Sequence, residues 1–329
     1  MNFNITFKKK PFELKVKDNP NFNGDAVLII NDADYDSVNT GSGFDLVTLA
    51  GPIIFKGKVS VVNGELTGKF IVPKTIRYVD KKQGRATLYA ISSDREQSAL
   101  GYDNELLLMG SISDVVDDDG PGIDIYFKDQ ENFSSGDLIM PNPFLVAELS
   151  DEKGINITRS IGNKILLTID NEVPKDISGF FTYLKDSYKK GVINYPLTDL
   201  TSGHHFLALS AFDNLNNGSE QSVEFKISST SDLSVEEVVN YPNPFNGTTQ
   251  FTFQTNSQGA EVVIKIYTIS GRLIRELNGF STAGYNDEIS WDSRDQDGDK
   301  VGNGVYLYKL ILKDGHKKSE TIEKMVLVR

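Results

Sequence analysis

Apolar and polar residues alternate with a period of two along most of this 329-residue chain, and the 3.6-residue period of long amphipathic helices is nearly absent. In the segment GVYLYKLIL, residues 304–312, four side chains share one face: Tyr306, Tyr308, Leu310 and Leu312. The opposite face is also mostly apolar, which is typical of a strand in the interior of a sandwich. Similar short strands recur between Gly, Asn and Asp residues, so the pattern predicts an all-β protein built from β-sandwiches.

Two polar segments divide the chain into parts of sandwich size. Residues 117–119 are three consecutive aspartates that precede Gly120 and Pro121, and residues 228–234 are small and polar. Repelling charges beside a chain breaker, and a run of small polar residues, are both typical of linkers. We therefore predict three tandem β-sandwich domains, at residues 1–117, 118–230 and 231–329.

One segment is a helix candidate. Residues 181–191, FTYLKDSYKKG, lack a clear alternation, and their pattern leaves helix and non-helix equally open.

Composition excludes several functions. The formal net charge of −12 opposes binding to phosphate, so nucleic acid is not an expected partner. The absence of cysteine excludes disulfides, thiolate nucleophiles and zinc–cysteine sites. No apolar stretch approaches the eighteen or so residues of a membrane-spanning helix, so no transmembrane segment is expected. The first residues do not form a signal peptide, which predicts that an exported form of this chain has lost its beginning.

The tetrapeptide Pro-Asn-Pro-Phe occurs twice, at residues 141–144 and 242–245. Proline fixes its own φ and donates no backbone hydrogen bond, so each copy should be a stiff segment that cannot pair as a central strand. We predict that the phenylalanine of each copy fills the first core position of the strand that follows.

Four motifs follow one another in the last 90 or so residues: an Asn-Pro-Phe entry, an Ile-Tyr-x-x-x-Gly hairpin, a Trp-Asp turn and a Gly-Val-Tyr strand. Their order resembles the C-terminal sorting domains of type IX secretion cargo in Bacteroidetes and the immunoglobulin-like module of flagellar hook-capping proteins. The resemblance assigns sorting-motif positions to ten residues: Asn243, Pro244, Phe245, Gly271, Trp291, Asp292, Gly304, Tyr306, Lys324 and Val326. Ser293 departs from the pattern, since glycine is commonest there.

Earlier segments resemble the region after the protease domain in type IX secretion sortases and gingipain-family peptidases. They include GIN at residues 154–156, the Gly191 strand that ends in Tyr-Pro-Leu, and Gly203-His204. The resemblance implies immunoglobulin-like sandwiches, and it places the catalytic cysteine and histidine in a caspase-like domain further toward the N-terminus. It therefore implies a non-catalytic accessory and targeting region that is read by outer-membrane type IX components and displayed at the cell surface. The edge of residues 323–329 is expected to pair with a partner strand.

Two acidic groups are calcium candidates. Asp117, Asp118 and Asp119 are either a solvated linker or a calcium clamp, since calcium prefers carboxylate oxygens. The second group, Asp295, Asp297 and Asp299, has the spacing of an EF-hand start, but Lys300 replaces the required glycine and no glutamate follows at position twelve. We reject the EF-hand and expect turn-forming aspartates or an irregular calcium site. No other cofactor is expected.

The remaining chemistry is sparse. His204 and His205 are adjacent on a predicted strand, so their side chains should face opposite ways. No nucleophile elbow, phosphate loop or zinc-protease motif is present. The alternative to an export module is a surface adhesin or carbohydrate-binding protein, in which Tyr35, Tyr183 and Tyr188 could stack on sugars.

Overall fold

The structure, a computed structural model, describes residues 3–6, 12–16, 19–39, 45–77, 84–106, 108, 117–282 and 285–329. These residues form 25 strands and a single 3-10 turn, Ser178–Phe180. The predicted all-β fold is confirmed. None of the described helices has the length and apolar character that a bilayer crossing requires.

The first nine strands belong to the N-terminal third of the chain. They are β1 (Phe3–Thr6), β2 (Phe12–Val16), β3 (Gly24–Asn31), β4 (Tyr35–Asn39), β5 (Asp45–Leu49), β6 (Ile53–Val61), β7 (Glu65–Gly68), β8 (Gly84–Ser92) and β9 (Ser98–Leu106).

The next nine strands belong to the middle of the chain. They are β10 (Gly122–Phe127), β11 (Leu138–Ile139), β12 (Phe144–Ser150), β13 (Leu166–Ile169), β14 (Lys175–Asp176), β15 (Phe181–Tyr183), β16 (Lys190–Pro196), β17 (Gly203–Phe212) and β18 (Gly218–Ile227).

The last seven strands belong to the C-terminal third. They are β19 (Val235–Tyr241), β20 (Thr249–Thr255), β21 (Glu261–Thr268), β22 (Leu273–Phe280), β23 (Tyr285–Trp291), β24 (Gly304–Asp314) and β25 (Lys317–Leu327).

Two compact units result. Unit 1 contains Met1–Asp124, Val146–Tyr195 and Ala208–Ser222, and unit 2 contains Ile125–Leu145, Pro196–Leu207 and Val223–Arg329. The division into domains at residues 1–117, 118–230 and 231–329 stays a prediction.

One sheet has eight strands, in the order β10-β12-β16-β15-β6-β3-β8-β9. Smaller sheets have the orders β1-β2-β7, β4-β5 and β11-β18-β17-β13-β14. The parallel pairing of β15 with β6 places Tyr183 opposite Gly57. A Cβ at Gly57 would lie 3.0 Å from the Tyr183 Cβ, so glycine permits this close approach.

The helix candidate at residues 181–191 is wrong, because its ends form the antiparallel strands β15 and β16. Phe181 and Tyr183 are buried while Thr182 between them is half-buried, which is the period of a strand. A Cβ at Gly191 would collide with the Phe181 ring at 2.2 Å, so the pairing depends on glycine there. The backbone N–H of Leu184 donates to the Lys190 carbonyl at 2.9 Å and closes the hairpin.

The C-terminal part of unit 2 is a sandwich of two sheets, β19-β20-β23 and β22-β21-β24-β25. We call it the C-terminal module. Its core is one cluster of buried side chains contributed by both sheets, including Phe251, Ile264, Trp291 and Tyr308. Strand β24 is flanked by β21 and β25, which confirms the prediction of an interior strand. Its four inward side chains are buried: Tyr306, Tyr308, Leu310 and Leu312.

Candidate functional site in the C-terminal module

The segment that enters the C-terminal module places Phe245 in the core. Its side chain is 2% exposed, and its ring centroid lies 5.8 Å from that of Trp291. The peptide bonds before Pro242 and Pro244 are both cis. Phe245 therefore occupies the core position that the sequence predicts.

The other copy of the tetrapeptide behaves differently. Phe144 is 47% exposed, so the prediction that it fills a core position is wrong. The following residues, Leu145, Val146 and Ala147, are all buried and fill the core in its place. A stiff segment therefore does not by itself determine whether its aromatic side chain is buried, because the register of the following strand determines which side chains face inward.

Residues 243–245 also bind the outer edge of β25. The Phe245 N–H donates to the Val326 carbonyl at 3.0 Å, and the Val328 N–H donates to the Phe245 carbonyl at 2.9 Å. The Val326 N–H donates to Asn243 Oδ1 at 3.0 Å, and Asn243 Nδ2 donates to the Lys324 carbonyl at 3.4 Å. The expectation of a free edge is therefore wrong for residues 324–328, because the chain itself occupies it.

Trp291 lies next to Phe245 in the same core. It is 1% exposed, and its Nε1 donates to the Arg294 carbonyl at 2.8 Å. The ring of Tyr306 meets it edge-on at 5.8 Å, and the Tyr306 hydroxyl donates to the Gly302 carbonyl at 2.6 Å. Burial raises the pKa of Tyr306. The interpretation of Trp291 as a core side chain is confirmed.

Arg329 is bound by Ser293, the residue that departs from the motif pattern after the Trp-Asp turn. Ser293 has a φ of 55°, in the left-handed region that favours glycine, and is completely buried. Its hydroxyl accepts a hydrogen bond from the Arg329 guanidinium at 2.5 Å. The same guanidinium donates to the Val301 carbonyl at 2.7 Å. A lone serine in a turn motif carries no signal for a contact with the C-terminus, so sequence reasoning missed it.

The turns of the module use the predicted residue types. Asp292 Oδ1 accepts the Arg294 N–H at 3.1 Å, and Asp295 Oδ1 accepts the N–H groups of Asp297 and Asp299 at 3.1 and 2.9 Å. The turn interpretation is confirmed for Asp292 and Asp295, and an irregular calcium site at residues 295–299 stays a prediction. The turn pattern predicts a positive φ at Gly298, Gly302 and Gly304. Gly298 (91°) and Gly304 (156°) confirm it, whereas Gly302 does not have a positive φ; Gly271 in the hairpin also has a positive φ, of 86°.

A different set of aspartates forms the acidic cluster of unit 1. In the described parts of the chain, the only group of three metal-ligating side chains with ligand atoms within 4.8 Å of one another is Asp117, Asp151 and Asp213. Neither Asp118, Asp119 nor the series at residues 295–299 belongs to it. Asp213 Oδ1 accepts the N–H groups of Leu215 and Asn217 at 2.9 and 2.6 Å.

The surroundings of the acidic cluster disfavour the state in which all three carboxyl groups are ionised. Burial, and then the nearby Asp213 and Asp117, raise the pKa of Asp151 to about 6. Burial also raises the pKa of Asp213. Calcium at Asp117 stays a prediction. The sequence could not identify Asp151 and Asp213 as partners of Asp117, because they are far from it along the chain and a sequence does not show which residues are close in space.

The remaining candidates have structural roles. His205 is 7% exposed and stacks on Phe225 at 5.5 Å, whereas His204 is exposed, so the two histidines face opposite ways as predicted. Tyr183 is 3% exposed, and its hydroxyl accepts the Ile155 N–H and donates to the Ile155 carbonyl, both at 2.8 Å. Burial raises its pKa. The expectation that Tyr183 is available to stack on sugars is therefore wrong.

Comparison with known proteins gives one family match. Residues 239–315 match the model of the FlgD Ig-like domain, and no curated protein sequence matches the chain.

Several solved structures are similar to the whole chain. Dimeric latent PorU from Porphyromonas gingivalis is 27% identical over 97% of this chain and 31% of its own length, with a TM-score of 0.40. PorZ from the same organism, a surface component of the type IX secretion system, is 11% identical over 99% of this chain and 59% of its own, with a TM-score of 0.23. A tandem repeat of a large adhesion protein is 10% identical over 99% of this chain and 73% of its own length, with a TM-score of 0.22.

The chain thus spans about a third of the length of PorU. The match to the FlgD Ig-like domain concerns a defined part of the chain, which contains the Asn-Pro-Phe entry, the Ile-Tyr-x-x-x-Gly hairpin, the Trp-Asp turn and all of β24. Residues 239–315 are therefore similar to the FlgD Ig-like domain, as the motif series predicts.

Proposed function

We propose that this chain is the non-catalytic accessory and C-terminal targeting region of a type IX secretion sortase or gingipain-like peptidase. The C-terminal module is the address that outer-membrane type IX components read, and the protein is displayed at the cell surface. The observation that carries this proposal is the ordered series of four motifs in a module that matches the FlgD Ig-like domain.

The positions of the sorting-motif residues support an address that is read in its folded form. Phe245, Trp291 and Tyr306 are buried, and Asn243 fixes the outer edge of β25. Side chains inside a core cannot be contacted by a receptor, so they determine whether the module folds and which surface it presents. The terminal strand is consequently a built-in part of the sandwich rather than a flexible tag.

A non-catalytic role agrees with the chemistry of the chain. Without cysteine, the thiolate nucleophile of a cysteine peptidase cannot form here. In this proposal the catalytic residues belong to a caspase-like domain of the parent protein. The gene sequence upstream of Met1 tests this point: an in-frame domain with a histidine and a cysteine supports it, and a ribosome-binding site after a stop codon contradicts it.

Truncation tests the targeting role. Removing residues 323–329 deletes the inward side chains of Met325 and Leu327 and the Arg329 anchor, so the export machinery should no longer recognise the module. We expect the truncated protein to remain in the periplasm of its native host, whereas a control with Val173→Ser, at a residue that is 90% exposed in unit 1, reaches the surface. Normal surface display of the truncated chain would contradict the proposal.

The adhesin alternative has no comparable support. Tyr183 is buried, and Tyr35 already packs under Arg77, whose guanidinium carbon lies 4.2 Å from the ring centroid. A glycan array probed with the intact chain addresses the alternative directly, and reproducible binding to a defined sugar would revive it.

A further inference from the structure

One end of the outer face of the four-stranded sheet β22-β21-β24-β25 carries a cluster of neighbouring apolar side chains. Since Tyr306, Tyr308, Met325 and Leu327 face the core, the alternate residues of β24 and β25 face away from it. The cross-strand register then aligns Leu273, Tyr267, Leu307 and Lys324 in one row. Val305 lies opposite Val326 in the next outward row. We call this surface the outer patch; its members are Tyr267, Leu273, Val305, Leu307, Lys324 and Val326.

The apolar members of the outer patch remain accessible to solvent. Leu273 is 50% exposed and Val305 is 39% exposed, while Tyr267, Leu307 and Val326 are half-buried. Clustered apolar side chains on a surface with a polar rim mark sites of protein association, whereas single exposed ones do not.

The charges on this face differ between its two ends. Away from the outer patch, each outward lysine of β21 and β24 is paired with a glutamate on a neighbouring strand. The pairs are Lys265–Glu276 at 3.0 Å, Lys309–Glu320 at 2.6 Å and Lys313–Glu261 at 3.4 Å. Lys324 is exposed and makes no ion pair with any residue that the structure describes. In a chain with a net charge of −12, an unpaired cation beside an apolar surface favours an acidic partner.

The edge of the sheet is not available for pairing with a partner strand at this end. Backbone groups of Lys324, Val326 and Val328 are already bonded to residues 243 and 245. A partner strand could pair there only after displacing the entry segment together with the buried Phe245. A partner that meets this end of the module therefore binds the face of the sheet.

We propose that the outer patch is the surface by which the C-terminal module docks on an outer-membrane export component, through a protein segment with apolar side chains and a carboxylate over Lys324. The inference rests on the proposed function and names the surface that performs it. Covering the lysine without an acidic partner would leave a buried unpaired charge, which is costly. A second copy of this chain does not fit, because the outer patch contains no carboxylate that could neutralise Lys324 of the other copy.

Substitutions at exposed members of the outer patch test the proposal in the full chain. The variants are Leu273→Ser, Val305→Thr and Lys324→Glu, and the matched controls are Phe280→Ser, at a residue at the other end of the same face that is 73% exposed, and Lys317→Glu, on the same strand as Lys324. The measurement is the fraction of protein accessible to antibody on intact cells of the native host. Thermal unfolding of each purified variant shows whether the fold is intact.

We expect Leu273→Ser and Lys324→Glu each to lower surface display at least tenfold with an unchanged unfolding midpoint, and Lys324→Arg and both controls to be displayed normally. If Leu273→Ser lowers the midpoint, Val305→Thr, which keeps the shape of the side chain, replaces it in the comparison. Normal display of the folded variants, while the chain without residues 323–329 stays in the periplasm, would overturn the outer patch and leave the targeting role intact. Normal display of the truncated chain would overturn both.

A lipid surface is the competing occupant, and vesicles with about one third anionic phospholipid test it. The proposal expects no binding of the intact chain to these vesicles at physiological salt. Vesicle binding that Lys324→Glu abolishes would overturn it, because the occupant would then be lipid.

Discussion

The side-chain oxygen of Asn243 accepts a hydrogen bond from the backbone N–H of Val326 at 3.0 Å, across 83 residues of sequence. Together with the two backbone hydrogen bonds of Phe245, it joins the entry of the C-terminal module to its last strand. The two ends of the module are therefore bonded to each other, and a substitution at either end should destabilise the other end as well.

The two copies of Pro-Asn-Pro-Phe provide a matched pair of substitutions. Phe245→Ala removes a buried ring that packs on Trp291 and should destabilise the module by about 3–5 kcal/mol. Phe144→Ala removes a ring that is 47% exposed and should cost less than about 1 kcal/mol. Urea unfolding followed by the fluorescence of Trp291, the single tryptophan, measures the first effect directly. Equal costs would contradict the assignment of Phe245 to the core.

Asn243→Ala should loosen the end of β25. The substitution leaves the Val326 N–H without its acceptor, and we expect a loss of about 1 kcal/mol with faster amide hydrogen exchange at residue 326. Asn278→Ala, at an exposed asparagine of β22, is the control and should leave that exchange rate unchanged. Unaltered protection of Val326 in the Asn243 variant would mean that the hydrogen bond does not hold the strand.

Two substitutions of Ser293 separate the contribution of its hydroxyl group from the strain of its left-handed backbone. Ser293→Ala loses the hydroxyl that binds Arg329 and keeps a Cβ at a φ of 55°, whereas Ser293→Gly loses the hydroxyl but relieves the backbone. We expect the alanine variant to be less stable than the glycine variant by about 1 kcal/mol. Chemical denaturation of both variants decides the matter, and an alanine variant at least as stable as the glycine variant would refute the backbone argument.

The acidic cluster predicts a pH dependence of stability with a defined sign. The folded-state pKa of Asp151 is raised to about 6, mainly by burial and then by Asp213 and Asp117, above its ordinary value of 3.8. The folded state therefore binds the proton more tightly, so this carboxyl stabilises the protein below about pH 4 and loses that contribution as the pH rises through about 6. Asp151→Asn should flatten the fall of the unfolding midpoint across this range, and an identical fall in both proteins would contradict the assignment.

Calcium would change the same balance. If Asp117, Asp151 and Asp213 bind the ion, millimolar calcium should raise the unfolding midpoint of the native chain at pH 7 and leave that of Asp151→Asn unchanged. Differential scanning fluorimetry with calcium and with chelator measures the difference. The same midpoint under both conditions would end the calcium prediction.

Some of these features could be predicted from the sequence because they depend on local pattern. The alternation of β24 reports its two faces directly, and a lone tryptophan between short strands indicates a core position. The helix at residues 181–191 was a wrong alternative because Gly191 is required by the close approach of the Phe181 ring. This is a tertiary contact, and the local sequence pattern does not indicate it. The exposed Phe144 failed for a related reason, since its strand register is fixed by the buried residues that follow it.

Contacts between distant segments were beyond the reach of the sequence. The resemblance in sequence assigns motif positions to both Asn243 and Val326, but nothing in either motif indicates that one binds the other. The acidic cluster likewise combines Asp117 with two turn residues, and no spacing rule relates residues 117, 151 and 213. The outer patch required the register of four strands, because exposure and charge pairing on a sheet face depend on which residues are opposite each other.

The most direct test of the targeting role is a transfer of the C-terminal module, whose core is formed by residues between 233 and 327. A periplasmic reporter would be fused in front of residues 231–329 and its location measured in the native host, with the same fusion carrying Phe245→Ala as the control. We expect the reporter to appear at the cell surface with the native module and to stay in the periplasm with the variant. A reporter that remains in the periplasm although the fused module is folded would contradict it.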